Sequence, residues 1–274
     1  MTDTLSDPTR WSRASDKYQA LQGDVTRHAT QRAVSLVHDR QPFTSRSSAL
    51  DIGAGGGSLT LAIKDICPAT PVLATDISTG MLKQIDALRL PGVQTRRENA
   101  VELAGLAGAQ FTHALSSFAI QFTNDGRACV ESVYRVLKPG GVAAFVIWSE
   151  EADGKTIHFD ACQQLDPEYA STASFFVEGA WSTPAAHREV LESVGFQEVY
   201  VETLRIPFFF ESAEAFTDYW FEAKNPVLEK LVGDWVEHGG SAQELRTRME
   251  EITRKEYDDG GGIFCYCVIG IGTK

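Results

Sequence analysis

The stretch SALDIGAGGGSLTLAIKDI, residues 48–66, decides the fold. Its first five residues are a short apolar run that reads as a buried strand, and the cluster Gly53, Gly55, Gly56 and Gly57 breaks it. From Leu59 the apolar residues return at helical spacing, with Ser58 near the start. Strand, tight turn and helix follow in order. Glycines at such a turn let the backbone bend sharply and approach a ligand where a Cβ would clash, so a nucleoside-like ligand is expected there. The plain alternative is a flexible loop.

Working outward, PVLATDI from Pro71 reads as a second strand, and Met81, Leu82, Ile85 and Leu88 fall on one helical face behind it. VQTRREN from Val93 is a more polar strand suited to a sheet edge, and THALSSFA from Thr112 is a buried one. Val130, Val133, Tyr134 and Leu137 line a helix that Lys138-Pro139-Gly140-Gly141 stops before the strand GVAAFVIW. Alternation of this kind from Ser48 to Trp148 signals βα units and a parallel sheet covered on both faces. Thr183-Pro184 predicts a capped helix start, and QEVYVETLRIPFF and IFCYCVIGI read as two strands able to pair antiparallel at one edge. Between them, residues 211–260 hold three helix signals and suggest a lid over the carboxyl ends of the parallel strands, where open α/β sheets bind ligands.

Composition narrows the function. The chain has 274 residues and a formal charge of −12, so its surface repels phosphate backbones and anionic lipid, and neither nucleic acid nor membrane is an expected partner. The five cysteines, Cys67, Cys129, Cys162, Cys265 and Cys267, show no CxxC or Cys/His spacing. Reduced thiols, no metal site and a cytoplasmic location are expected, since the N-terminal stretch is polar and no window reaches the 18 or so apolar residues of a membrane span.

The glycine turn also excludes. A dinucleotide fingerprint counted from Gly53 wants a sixth-position glycine, and Ser58 stands there; a phosphate-binding loop wants Lys-Ser/Thr after its last glycine, and Ser58-Leu59 follow. Asp76, at the end of the second strand, is placed to accept hydrogen bonds from both hydroxyls of a ribose. Its alternative role is a helix N-terminal acid favoured by the macrodipole.

DIGAGGG, ATDIS with Asp76, ENAVEL at Glu98 and RVLKPGG at Arg135 together resemble the class I S-adenosylmethionine-dependent methyltransferases, in particular their ubiquinone-biosynthesis-like small-molecule branch. The resemblance covers roughly residues 48–148. It implies an α/β fold, a Rossmann-like doubly wound seven-stranded sheet, mostly parallel with the last strand antiparallel, carrying helical cap insertions. One methyltransferase domain over 1–274 is expected, with an N-terminal cap (1–45), a cofactor-binding core (46–150), a cap segment (151–182), sheet completion (183–210 and 261–274) and the lid (211–260).

By the same resemblance S-adenosylmethionine is the cofactor. Gly53, Ala54, Gly55 and Gly57 would pass beneath its methionyl part, Asp76 and Ile77 would face the ribose, and Met81, Asn99 and Ala100 the adenine. Asn99 stands where the family often has aspartate, which puts the polarity of that hydrogen bond in question. Ser116 and Ser117 fall where cofactor and acceptor meet. Asp51 either joins the cofactor site or holds the turn, and Tyr18 could close it from the N-terminal segment.

Methyl transfer from a sulfonium is an in-line displacement, for which the protein aligns the nucleophile and excludes water. SSFAIQF after the fourth strand lacks the Asn/Asp-Pro-Pro-aromatic tetrad of amide or base N-methylation, the Pro-Cys nucleophile for cytosine carbon, and acidic ligands for a catechol-chelating metal. A small, fairly apolar acceptor remains, with Trp11, Phe118, Phe122, Trp148 and Trp220 as the candidate wall; Phe175, Phe176, Trp181, Phe209 and Tyr219 belong to the same pool. No histidine is marked as general base, and His158 and Tyr18 are the weak candidates. Overall pattern and the long insertion look similar to methyltransferases of fungal secondary metabolism, and faintly to the gliotoxin bis-thiomethyltransferase type. A thiol or dithiol acceptor fits a site without an evident base, because a thiol of pKa about 8.5 is already partly thiolate at neutral pH. Phenol, quinone-like or amine acceptors stay open, as do an NAD-dependent oxidoreductase and a silent cofactor-binding regulator. No obligate protein partner is inferred.

Overall fold

The computed structural model describes residues 7–170, 181–208, 210–258 and 263–274, without the side chains of 13–25, 150–155, 208 and 256–258. Phe175, Phe176 and Phe209 therefore lie outside the described residues, as does the side chain of Tyr18. Seven strands form one sheet: β1 (Ala49–Ile52), β2 (Val72–Asp76), β3 (Val93–Arg97), β4 (Phe111–Ser117), β5 (Leu137–Ala152), β6 (Gln197–Phe208) and β7 (Ile263–Thr273). Their spatial order is β3-β2-β1-β4-β5-β7-β6. β1 to β5 pair parallel, and β7 inserts antiparallel between β5 and β6. This is the Rossmann-like arrangement expected, with the polar β3 at one edge.

Period-two patterning explains the layers. Val142, Ala144 and Val146 of β5 enter one apolar core, while Ala143, Phe145 and Ile147 enter the other. Packed on the first face are α1 (Pro8–Arg40), α2 (Ser58–Ile66), α5 (Asp153–Leu165), α7 (Ala213–Glu222), α8 (Pro226–Glu237) and α9 (Ala242–Asp258); α4 (Gly126–Val136) and α6 (Pro184–Val194) cover the second. α3 (Thr79–Ala87) sets Leu82 and Ile85 on Ala74 of β2.

Local chemistry sets the helix starts. Asp7, Ser78, Asp125, Thr183, Ser212 and Asn225 each accept a backbone N–H of the following turn, and Pro8, Pro184 and Pro226 sit at the first helical position. α2 differs: Gly57, at φ +94°, is its cap without a side-chain bond, and Ser58 is its first residue.

The insertion 211–260 does form three helices, but it is mostly core rather than lid. Trp220, Tyr219 and Trp235 are at most 4% exposed and join the apolar layer with α5, while Val227 of α8 packs in a separate cluster with Phe122, Trp11 and Trp148. Amphipathic spacing reports that a face is buried, not what it is buried against. Among the described residues no helix is long and apolar enough to cross a membrane.

Candidate active site

The carboxyl ends of β1, β2, β3 and β4 open into a cleft of about 330 Å³, a size suited to a small ligand. Three walls can be distinguished. Its floor is the turn after β1, with Asp51, Gly53, Ala54, Gly55, Gly56, Ser58 and Leu59. One side holds Thr75, Asp76, Ile77 and Met81 with Glu98, Asn99, Ala100 and Val101; the other holds Ser117, Phe118, Ala119, Phe122, Thr123 and Asn124, with Trp11, Thr26 and Thr30 from α1.

Backbone geometry shows why the turn carries glycine. At Gly53, φ is +65°, and a Cβ there would overlap the Cβ of Ala119, so β1 and the loop after β4 could not approach. Gly55 is at φ +53° with nothing within 4 Å of a Cβ, so a side chain would project into open cleft. Gly55→Ala is accordingly expected to fold, at a cost of about 1 kcal/mol for the left-handed residue, yet to bind donor severalfold more weakly; thermal melts and calorimetry check both parts.

Asp76 is tied from both sides. Its Oδ1 accepts from Ser78 N at 2.8 Å and its Oδ2 from Gly55 N at 2.9 Å, so one carboxylate joins the glycine turn to the start of α3. Burial pushes its pKa up, opposed by those N–H donors and that of Ile77. Asp51 is 1% exposed, and burial raises its pKa to about 7 against the opposing hydrogen bonds of Thr60, whose hydroxyl lies 2.6 Å from Oδ2. Asp51 thus both faces the cleft and braces α2.

The side-chain oxygen of Asn99 accepts from Val101 N at 3.1 Å, which leaves its amide hydrogens to face a ligand. Arg135, of the RVLKPGG stretch, is absent from the cleft but shapes it. Its guanidinium donates to Leu106 O at 2.7 Å and to Glu102 O and Leu103 O at 3.0 Å, clamping the loop whose first residues are Glu98 to Val101. Arg135→Ala should cost about 2 kcal/mol of stability and raise the donor KM severalfold with kcat kept; an unchanged donor KM would show that the clamp does not reach the cleft.

Several expected residues lie elsewhere. Gly57 is behind the floor, capping α2. Ser116 is fully buried and donates to Ile52 O at 2.9 Å, because successive residues of β4 face opposite sides of the sheet. Trp148 stands one layer back, its ring 4.1 Å from that of Phe118. Trp220 is in the core, stacked 5.6 Å from His158. His158 is fully buried, 3.8 Å from Cys162 Sγ, and burial lowers its pKa to about 4; it lies outside the cleft. Trp181 packs beside His187 in the second core. Asp51, Gly53, Ala54, Gly55, Asp76, Ile77, Met81, Asn99, Ala100, Ser117, Trp11, Phe118 and Phe122 do come together. Thr26, Thr30, Glu98 and the Thr123-Asn124 pair were not anticipated. Among the described lining residues there is no Lys, Arg, His or Cys, and the ionisable ones are Asp51, Asp76 and Glu98.

Comparison with known proteins agrees with this geometry. Residues 50–145 match the family model described as a methyltransferase domain. The chain is 23% identical to methyltransferase ucsB of Acremonium sp. over 79% of its own length and 78% of that protein's. It is 30% identical to the malonyl-[acyl-carrier protein] O-methyltransferase of Pseudescherichia vulneris, over 49% of this chain and half of the relative's length. Among solved structures, a S-adenosylmethionine-dependent methyltransferase of Thermotoga maritima superposes with a TM-score of 0.57 at 16% identity, covering 97% of this chain and 99% of that one, a likeness of fold. An open cradle at Gly55 and three carboxylates around a cavity of this size suit a cationic nucleoside ligand, and with the match over β1 to β5 the chain is a S-adenosylmethionine-dependent methyltransferase of class I architecture.

Proposed function

We propose that this enzyme methylates a small, largely apolar secondary metabolite in the cytoplasm, with a thiol or dithiol as the reacting group. In this reading the turn from Gly53 to Gly55 underlies the methionyl part of the donor, Asp76 and Ile77 hold its ribose, and Met81, Asn99 and Ala100 hold its adenine. S-adenosylmethionine supplies a methyl carbon activated by its sulfonium. Trp11, Phe118 and Phe122 exclude water and seat the acceptor.

The observation that carries the reading is the lining itself: an aromatic wall, three carboxylates and no described basic side chain. A phenol of pKa about 10 would need a base, and the described lining offers carboxylates alone, of which even Asp51, pushed up to about 7, is a weak base for such a proton. A thiol ionises far more readily and is intrinsically nucleophilic. A carboxylate acceptor is the second reading, favoured by the alignment with the malonyl-[acyl-carrier protein] O-methyltransferase and by the fact that a carboxylate needs no base.

Two measurements test the reading. Calorimetry with S-adenosylmethionine and with NADH is expected to show binding of the first alone, and the reverse would make the protein an oxidoreductase. Labelled donor incubated with thiols, carboxylates, phenols and amines should label thiols fastest. Labelling of carboxylates alone would install the second reading, and donor binding without transfer across the panel would favour a silent regulator.

A further inference from the structure

The hydroxyls of Ser117, the last residue of β4, and of Thr30 on the buried face of α1 form a chain that ends on the backbone carbonyl of Thr26, along the acceptor side of the cleft. Thr30 Oγ1 donates to Thr26 O at 2.8 Å, a carbonyl that can only accept. A hydroxyl carries one hydrogen. The 2.8 Å contact between Thr30 Oγ1 and Ser117 Oγ is therefore donated by Ser117. Thr30 is 1% exposed, so water does not replace this partner. What Ser117 turns toward the cleft is consequently its lone pairs.

The backbone holds Ser117 in place. Phe118, the next residue, has φ +54°, a left-handed conformation that a bulky aromatic residue rarely adopts and that clusters at functional sites. Its N–H donates to Val146 O at 2.8 Å, and its ring lies 4.1 Å from that of Trp148, so two contacts with β5 retain the strained geometry. The ionisable residues that share the cleft with this hydroxyl are acidic, Asp51 on the floor and Asp76 and Glu98 on the facing wall.

Resting on the function proposed above, we infer that Ser117, aimed by Thr30, orients the methyl acceptor and selects one whose reacting atom arrives with its own hydrogen, a neutral thiol or hydroxyl, over a carboxylate. An S–H or O–H donates to Ser117, which fixes the direction of the remaining lone pairs of the reacting atom. A carboxylate meets the serine lone pairs instead, in a cleft whose ionisable lining is acidic, and turning the serine hydrogen toward it strips Thr30 of its donor. For transfer the bound acceptor passes its hydrogen as a proton to a carboxylate of the cleft, a lone pair of the anion so formed makes the bond to the methyl carbon, and the pair of the breaking bond stays on the donor sulfur. Ser117 touches the acceptor. Thr30 is a positioning residue that acts through it.

The test is binding to the full chain saturated with S-adenosylhomocysteine, using phenylmethanethiol, phenylmethanol and benzoate as probes that share a ring and differ in the reacting group. At about pH 7, where the thiol and alcohol are neutral and benzoate is charged, the thiol should bind at least about tenfold more tightly than benzoate. Ser117→Ala should reduce that preference to about threefold or less while leaving donor affinity within about twofold. Thr30→Val should reproduce the loss and Thr30→Ser should restore the preference, a rescue that a merely structural role for Thr30 does not predict. Equal or tighter benzoate binding to the native chain, no binding of any probe, or a Ser117→Ala effect confined to the donor would overturn the inference. Failure of the native chain to bind S-adenosylmethionine would instead bring down the proposed function, so the two failures are separable.

Discussion

Replacing Asp76 by alanine is expected to weaken S-adenosylmethionine binding by about ten- to a hundredfold, equivalent to roughly 1.4–2.8 kcal/mol. Two losses combine in this variant. The first is the carboxylate itself: each oxygen already accepts one backbone N–H, from Ser78 at 2.8 Å and Gly55 at 2.9 Å, and each retains lone-pair capacity on the side of the cleft that Asp76 lines. Hydrogen bonds from ribose hydroxyls to a charged acceptor are about twice as strong as neutral ones, and they also draw the raised pKa of the buried acid back down. The second loss is the tether on Gly55 N, without which the glycine turn is free to leave its ligand-bound shape. Asp76→Asn separates the two. It keeps the size and one acceptor but presents an amide hydrogen to one of the two N–H groups, so an intermediate loss near tenfold is expected. Calorimetric titration, with a thermal melt to confirm folding, measures both variants. An unchanged affinity in Asp76→Ala would mean that the ribose is held elsewhere.

That expectation was available from the sequence because the features behind it are local. A glycine cluster between a strand and a helix, and an acid at the end of the next strand, fix their own surroundings within about thirty residues. β1, β2 and their helices follow from periodicity and caps alone. Long-range order is different. The sequence marks β6 and β7 as strands, but nothing in them says that β7 enters between β5 and β6. The stripe of Phe216, Tyr219 and Trp220 announces a buried face, and the partner of that face is α5 and the main core rather than a ligand. His158 shares that fate, since a buried neutral imidazole and a cleft histidine look alike in one dimension. Thr26 and Thr30 were legible in principle: they are polar interruptions in the apolar stripe of Ala29, Ala33, Val34 and Val37, and such interruptions need a partner. The left-handed backbone of Phe118 has no counterpart in the sequence, because neither glycine nor asparagine marks the position.

Asp51→Asn is expected to move stability and donor affinity in opposite directions. Asp51 is 1% exposed, and burial raises its pKa from 3.8 to about 7 even though Thr60 donates to it. A folded pKa above the unfolded value means that, between those two pH values, the native chain keeps a proton the unfolded chain has lost. Stability therefore falls as pH rises through this window, and above it the whole cost, roughly 4 kcal/mol as an upper figure, is in place. Asparagine is neutral throughout and its Oδ1 still accepts from Thr60 Oγ1, so the variant should gain about 2–4 kcal/mol at about pH 8 and almost nothing near pH 4. Thermal melts at both pH values test this, and a variant less stable than the native chain at the higher pH would show that the charge is compensated within the fold. The donor changes the balance, because its cationic centres favour the ionised form of a carboxylate beside them. Native affinity should then fall as pH drops below about 7, with a proton released on binding, and calorimetry in two buffers of different ionisation enthalpy counts that proton. Asp76 faces the same cleft with its pKa also pushed up by burial and keeps part of the slope, so in Asp51→Asn the pH dependence should shrink rather than vanish. A buried carboxylate that weakens the empty protein and strengthens the loaded one is a stability loss retained for binding. Equal slopes in native and variant would instead confine Asp51 to bracing α2 through Thr60.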